Sequence, residues 1–278
     1  MSDQPAPVPN LPRRAPRIRA EIGEAFTEGA DHYDAVRPAY PAAAVDFLLG
    51  AGGGAPVREA PGTTGPTDPG GSGADVLDVG AGTGILTAQL VERGAHVTAL
   101  DPSADMLRAL AAKLPGVRCV EAPAEATGLA EAAFDVVVCA QAWHWVDPAR
   151  ATAEAARLLR PAGALGLVWN QLDVTVPWVH RLARIMHAGD VHRPEFEPAK
   201  GPGFGPWRAH HEHWREPVTP EFLRELAKSR AYYLRAAEST RAKVMANLDW
   251  YLYEHLGHAP GERLELPYYT HAWRAVRD

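Results

Sequence analysis

Between Ala74 and Trp169 the apolar and polar positions follow two rhythms that take turns along the chain. Short apolar runs with β-branched residues, at 75–79, 96–100, 117–121, 134–140 (FDVVVCA) and 164–169 (ALGLVW), read as strands. Between them apolar residues recur at helical spacing, over 84–93, 103–113 and 148–159. Met106, Leu107, Leu110 and Leu114 form such a stripe in the second of these. Ser103 stands where an N-cap belongs, and Pro148 after Asp147 is a good first helical residue with its cap. Five strands alternating with helices, several of them uninterrupted apolar runs, predict an α/β fold with a parallel sheet covered on both faces.

The flanks obey neither rhythm for long. Residues 1–20 are proline-rich with scattered arginines, too poor in large apolar groups to offset their ordering entropy, and are expected to be a disordered tail. IGEAFTEGADHYDAVRPAY (22–40) mixes aromatics with helix formers, and PAAAVDFLLG (41–50) reads as a short helix closed by Gly50. The Gly, Pro, Ala and Thr of 51–73 predict a flexible loop. After Asn170 helical patterns return near 177–188, 220–227 and 239–255, and HHEHWREPV (210–218) is a candidate strand. LPYYTHAWRAV (266–276) alternates well enough for a final strand at the edge of the sheet.

Composition narrows the partners. A formal charge of −6 over 278 residues offers no basic surface for a phosphate backbone, so a small molecule is a better expectation than nucleic acid. No apolar stretch approaches the roughly 18 residues a membrane span requires, and the N-terminus has no apolar signal core, so a cytoplasmic protein without a membrane partner is expected. Cys119 and Cys139 fall in predicted strands without ligand spacing and read as reduced core thiols, in keeping with that compartment. His210, His211 and His213 suggest metal, but only His211 and His213 would share a strand face, and no metal site is expected. Oligomeric state is left open.

Chemistry concentrates in ADVLDVGAGTGIL, Ala74 to Leu86: an apolar run to the acidic Asp78, then Gly80, Gly82 and Gly84, then a helix. Such a turn brings backbone amides at a helix N-terminus close to a ligand. A dinucleotide fingerprint needs a third glycine where Ile85 stands, which argues against a pyrophosphate ligand and a nicotinamide oxidoreductase. VLDVGAGTG resembles the first motif of the class I S-adenosylmethionine (SAM) dependent methyltransferases, and FTEGADHYDAVRPAYP, AWHWVD, RLLRPAG, LVWN, SRAYYL and LPYYT narrow the likeness to the methyltransferase type 11 group. Over residues 21–276 the chain is similar to the branch of trans-aconitate methyltransferases. That resemblance implies a Rossmann-like sheet, parallel with one antiparallel edge-type strand, plus a helical lid. It divides the chain into a SAM-binding domain (21–170), a lid and substrate region (171–260) and a returning C-terminal strand (261–278).

The cofactor implied is SAM, with S-adenosylhomocysteine as product, held by Asp78, Gly80, Ala81, Gly82, Asp101, Met106, Ala124, Glu125 and Gln141. Asp101 ends the second strand, where a carboxylate accepts two hydrogen bonds from a ribose diol or, alternatively, forms a turn before Pro102. Asp78 either receives the methionine amino group or orders the glycine loop. Met106 lies against the adenine face or belongs to the core. Ala124 and Glu125 match the family's Ala-Glu step in the adenine loop. Pro123 replaces an aspartate common there, leaving recognition to the backbone.

QAWHWVD (141–147) follows the fourth strand, where the family sets residues between cofactor and acceptor. His144 is a candidate general base, and Trp143 and Trp145 pack on the lid or line a substrate pocket. Tyr33, Arg37 and Tyr40 are expected over the cofactor, with Arg37 clamping a substrate carboxylate or forming an ion pair. The function implied is methyl transfer to a small-molecule acceptor, a carboxylate or hydroxyl in preference. The alternatives are a non-catalytic nucleoside-binding protein and an enzyme that uses SAM as a fixed, non-transferring cation.

Overall fold

The computed structural model of the chain describes residues 36–50, 73–188 and 196–278. The expected tail (1–20) and most of the expected loop, 51–72, lie outside the described residues. Helix α1 (Ala42–Leu49) closes on Gly50 in the left-handed conformation, as its sequence predicts. The alternating region then gives β1 (Asp75–Val79), α2 (Ile85–Glu92), β2 (His96–Asp101), α3 (Ala104–Lys113), β3 (Arg118–Glu121), β4 (Phe134–Ala140), a 3₁₀ turn (Trp143–Trp145), α4 (Pro148–Leu158) and β5 (Leu159–Leu172). Beyond it come α5 (Pro177–Ile185), β6 (Arg208–Val218), α6 (Pro220–Lys228), α7 (Ala231–Arg235), α8 (Glu238–Asp249), which continues as a π turn (Trp250–His255), and β7 (Leu264–Val276).

Seven strands form one sheet in the order β3-β2-β1-β4-β5-β7-β6. The first five are parallel neighbours, and β7 runs antiparallel to both β5 and β6. The antiparallel strand expected at the edge therefore sits one place in. The reason is visible in its burial: almost every residue from Leu266 to Ala275 is covered, whereas β6 alternates half-covered and exposed positions, as an edge strand does. β6 also means that the 171–260 span is not purely helical, because its middle belongs to the sheet. β5 outruns its predicted end at Trp169 because Asn170, Gln171 and Leu172 pair with Thr270, Tyr269 and Tyr268.

Both faces of the sheet are buried. Ala44, Val45 and Leu48 of α1 and Leu86 and Leu90 of α2 pack on Val76, Val138 and Val168. On the other face Ala151, Ala155 and Leu158 of α4 cover Leu77, Val137, Leu165 and Leu167. A second core forms where α5, α6, α8 and the π turn meet the ends of β5, β6 and β7, through Leu172, Leu182, Leu226, Leu248, Tyr251 and Tyr268. That helical layer stands at the carboxyl end of β5, the side on which open α/β sheets bind ligands. Among the described residues no helix is long and apolar enough to cross a membrane.

Capping is local and legible. Asp147 accepts from the N–H groups of Ala149 (3.0 Å) and Arg150 (3.2 Å), and Ser103 accepts from Met106 N–H at 3.4 Å. Asp147→Ala is expected to cost about 1 kcal/mol of stability, read as a lower midpoint in urea denaturation with an unchanged slope.

Candidate active site

The glycine turn is folded on the end of β2. Gly80 N–H and Ala81 N–H both donate to Leu100 O (2.7 and 3.1 Å), Gly84 N–H to Ala81 O (2.9 Å), and Gly82 N–H to Asp101 Oδ2 (2.9 Å). These four amides build the turn itself. What the turn offers is space. Gly80 and Gly82 have φ of 69° and 56°, where side chains are disfavoured. A Cβ on Gly80 would meet the Ala142 Cβ at 2.6 Å, so the turn and the end of β4 touch there, but one on Gly82 would have nothing within 4 Å.

Beneath this turn Asp78 is completely buried. Its Oδ2 accepts from Thr87 Oγ1–H at 2.7 Å, tying β1 to α2 rather than ordering the glycine loop, and its Oδ1 has no hydrogen-bond partner. Burial pushes its pKa up to about 7; the Thr87 bond opposes that shift and the nearby Asp101 charge adds to it. A buried acceptor without a donor is costly.

Asp101 is nearly as buried. Its two oxygens accept from Gly82 N–H and Ser103 N–H, each at 2.9 Å, so it pins the glycine turn and also makes the turn into α3. Desolvation raises its pKa, against those two bonds. A carboxylate has about four lone-pair sites, so two are left. Met106, in the first turn of α3, is buried. Ala81 packs beside the α3 cluster and Ala124 against the main core. Glu125 turns elsewhere: its Oε1 accepts from Asp147 N–H at 2.8 Å, fastening the 122–133 loop to the start of α4.

At the end of β4, Gln141 takes a left-handed φ of 56°, a strain on the order of 1 kcal/mol for a residue with a Cβ. Its backbone N–H donates to Val168 O (2.9 Å) and its Nε2 to Asn170 O (2.6 Å), which locks the chain reversal to β5. The three rings that follow separate. Trp143 is 5% exposed in the main core and donates Nε1–H to Ala199 O at 2.9 Å. The expectation that it contacts substrate is thereby corrected: its ring anchors the 196–200 segment. His144 is exposed with its ring 4.6 Å from that of the half-buried Trp145.

The segment before α1 reaches over the same strand ends. Asn170 Nδ2 donates to Ala39 O (3.0 Å), and Gln89 both accepts from Tyr40 N–H (2.9 Å) and donates to Tyr40 O (2.7 Å). Asn170 Oδ1 in turn accepts from Thr270 Oγ1–H (2.7 Å), whose oxygen accepts from Trp214 Nε1–H (2.8 Å). Arg37 donates Nη2–H to Ser229 O at 3.1 Å, joining the segment to the end of α6. The sequence places Tyr40 at the substrate; in the structure its ring belongs instead to the apolar cluster under α1. Tyr33 lies outside the described residues. Thr87, Asn170, Thr270 and Trp214 carry no site signal in the sequence, although LVWN and LPYYT contain two of them. On the far face, register confirms that His211 and His213 share a side, with His271 and Tyr269, and among the described residues no group of His, Cys, Asp or Glu is arranged for a metal ion.

Comparison with known proteins agrees with this geometry. A family model described as a methyltransferase domain matches residues 77–167. An uncharacterised methyltransferase of Mycobacterium tuberculosis is 38% identical over 262 residues, covering 93% of this chain and 98% of that protein. A methyltransferase-like protein of Schizosaccharomyces pombe, also uncharacterised, is 35% identical over 181 residues, 63% of this chain and 71% of that one. A solved structure from Anaeromyxobacter dehalogenans, provisionally assigned as a type II methyltransferase, aligns with a TM-score of 0.55 at 26% identity over 87% of this chain and 97% of that chain.

Proposed function

The chain belongs to the class I SAM-dependent methyltransferases, and from that premise we propose that it methylates a small-molecule acceptor on oxygen, with a carboxylate as the preferred nucleophile. The observation that carries the cofactor side is the buried, partnerless Oδ1 of Asp78 beneath an open glycine turn. In this reading that oxygen receives the cofactor's ammonium group. Gly80, Ala81 and Gly82 make room for the methionine chain, and Asp101 gives its two remaining lone-pair sites to the ribose. Met106 and the backbone of Ala124 and Glu125 border the adenine, while the Gln141 reversal closes the floor. Bound there, the cofactor supplies a methyl group on a cationic sulfur, open to in-line displacement.

The acceptor side falls to the segment before α1 and the turn after β4. Arg37 orients an acceptor carboxylate, its charge complementing the oxygen pair bidentately. Trp145 and His144 form the wall opposite, and the helical layer excludes water. This is the acceptor chemistry of the trans-aconitate branch that the sequence resembles. A net charge of −6 supports a small acceptor over nucleic acid, and the cytoplasm is the proposed location.

A carboxylate is ionised at neutral pH and needs no proton removed, so the reaction asks no base of His144. His144→Gln is expected to keep turnover within about threefold with cofactor saturating. A loss of about a hundredfold or more would instead mark a hydroxyl or amine acceptor with His144 as general base. The direct test transfers label from methyl-labelled SAM to candidate acids. Label released by alkali identifies a methyl ester, whereas alkali-stable label overturns the carboxylate reading. Bound SAM with no labelled product would favour the non-transferring alternatives.

A further inference from the structure

The helical layer has two sides, and the proposed reaction uses one of them. Val179, Leu182 and Ala183 of α5 are buried in the core they share with Leu172 and Tyr268 of the sheet. His180, Arg181 and Arg184 are exposed on the other side of the same helix. There α5, α7 and α8 border a cleft of about 640 Å³. Thr240, Lys243 and Asn247 line it from α8, where their spacing puts them on one face, and Tyr232 lines it from α7. No lining residue belongs to the glycine turn, to the ends of β2 and β4 or to the segment before α1, so the cleft is apart from the proposed cofactor and acceptor sites.

The chain as a whole is acidic, with a formal charge of −6, yet no carboxylate lines this cleft. Its charged residues are Arg181, Arg184 and Lys243, with His180 and His187 beside them. Arg181 and Arg184 are three residues apart on α5, where like charges repel and weaken a helix. The Arg181 guanidinium carbon is 5.4 Å from the ring centres of both Trp250 and Tyr251, which hold it against aromatic surface. Arg184 and Lys243 enter the cleft from separate helices, and among the described residues neither forms an ion pair.

The rim is built on a strained residue. His187, just past α5, has a φ of 49° at a helix end that favours glycine. Its N–H donates to Arg184 O (3.2 Å) and Ala188 N–H donates to Ala183 O (2.9 Å), which closes α5. The His187 ring stacks on Tyr232 at 3.8 Å, with the planes 19° apart. Tyr232 is 41% exposed and stands in SRAYYL, a motif the proposed reaction does not use. Backbone strain of this kind gathers at ligand sites.

A single carboxylate is satisfied by one guanidinium in bidentate contact. A phosphate monoester carries a charge of about −1.5 to −2 at neutral pH and three strong acceptor oxygens, which calls for more than one cation. Arg184 and Lys243 supply two, and Thr240 and Asn247 add neutral donors. Ile185 and Val244 give the same cleft an apolar portion. We propose that it binds a phosphate-bearing small molecule, with the phosphate between Arg184 and Lys243 and the organic part along Tyr232, Ile185 and Val244. The site does not depend on which acceptor the enzyme methylates.

The test is calorimetric titration with phenyl phosphate, and in parallel with benzoate, of the protein saturated with S-adenosylhomocysteine so that the cofactor site is filled. Wild type is expected to bind phenyl phosphate at least about tenfold more tightly than benzoate, and less tightly as salt is added. Arg184→Met and Lys243→Met are each expected to lower that affinity about tenfold while binding S-adenosylhomocysteine like wild type. Both side chains are exposed, so both variants should melt close to the wild-type temperature, and phenyl phosphate should raise the wild-type Tm more than theirs. No binding of phenyl phosphate by wild type, or equal affinity in wild type and both variants, overturns the site. Benzoate bound as tightly as phenyl phosphate overturns the phosphate assignment. Variants that melt well below wild type overturn the proposal too, because the two cations would then be structural. Sedimentation with phosphatidylglycerol vesicles separates a lipid headgroup from a free phosphate ester: vesicle binding that Lys243→Met abolishes, without binding of phenyl phosphate, overturns the small molecule in favour of a membrane surface.

Discussion

Gly82→Leu is expected to eliminate cofactor binding while the fold survives. Gly82 has a φ of 56°, so a side chain there carries a strain of roughly 1–2 kcal/mol, within what a domain of this size tolerates. The protein itself has no atom within 4 Å of the added Cβ. The leucine therefore meets no wall and occupies the space between the turn and the end of β2, where the cofactor's chain is proposed to run. The variant's affinity for S-adenosylhomocysteine is expected to drop at least about a hundredfold, equivalent to about 2.8 kcal/mol, by isothermal calorimetry. Circular dichroism and urea denaturation should report a folded protein with a slightly lower midpoint. Gly80→Leu is the control with the opposite cause, since its Cβ would lie 2.6 Å from Ala142 Cβ and must push β1 and β4 apart. That variant loses stability first, and binding only as a result. If Gly82→Leu binds S-adenosylhomocysteine like wild type, the open face of the turn is not the cofactor cradle.

The contrast between those two glycines marks the limit of what the sequence discloses. Spacing alone places both in a strand-turn-helix unit, and the apolar rhythm fixes β1 to β5 and α1 to α4 within a few residues, because each depends on local periodicity and on caps such as Ser103 and Asp147. Long-range pairings leave no such trace. β7 reads as an edge strand because alternation says nothing of which strand lies beside it, and only the register with β6 reveals the cover. Aromatic clustering near Trp143 is equally legible as pocket or core, and the bond to Ala199 decides for core. The uses of Asp101 and Glu125 escape the sequence in the same way: a motif position names a residue type, while its partners, Gly82 N–H, Ser103 N–H and Asp147 N–H, come from other elements.

Asp78→Asn is expected to separate stability from binding in opposite directions. The native carboxyl titrates near 7 in the folded protein against an ordinary value near 3.8, so between those values the folded state holds a proton that the unfolded state has released. Stability of the cofactor-free protein therefore falls as pH rises from about 4 to 7 and is level above that, by on the order of 4 kcal/mol if the full shift is expressed. Asparagine keeps an acceptor for Thr87 Oγ1–H and has no charge to bury, so at pH 8 the variant should be more stable than wild type, by urea denaturation. Binding moves the other way. An ammonium group on Oδ1 needs the ionised form, so wild-type affinity for S-adenosylhomocysteine should increase up to tenfold per pH unit between about 5 and 7, with a proton released on binding, and flatten above 7. The asparagine of the variant presents an amide without that charge and should lose about ten- to a hundredfold at pH 8, with no pH dependence left below 7. Higher stability with unchanged affinity would make Asp78 a strut for α2 alone, and would remove the residue on which the cofactor assignment most depends.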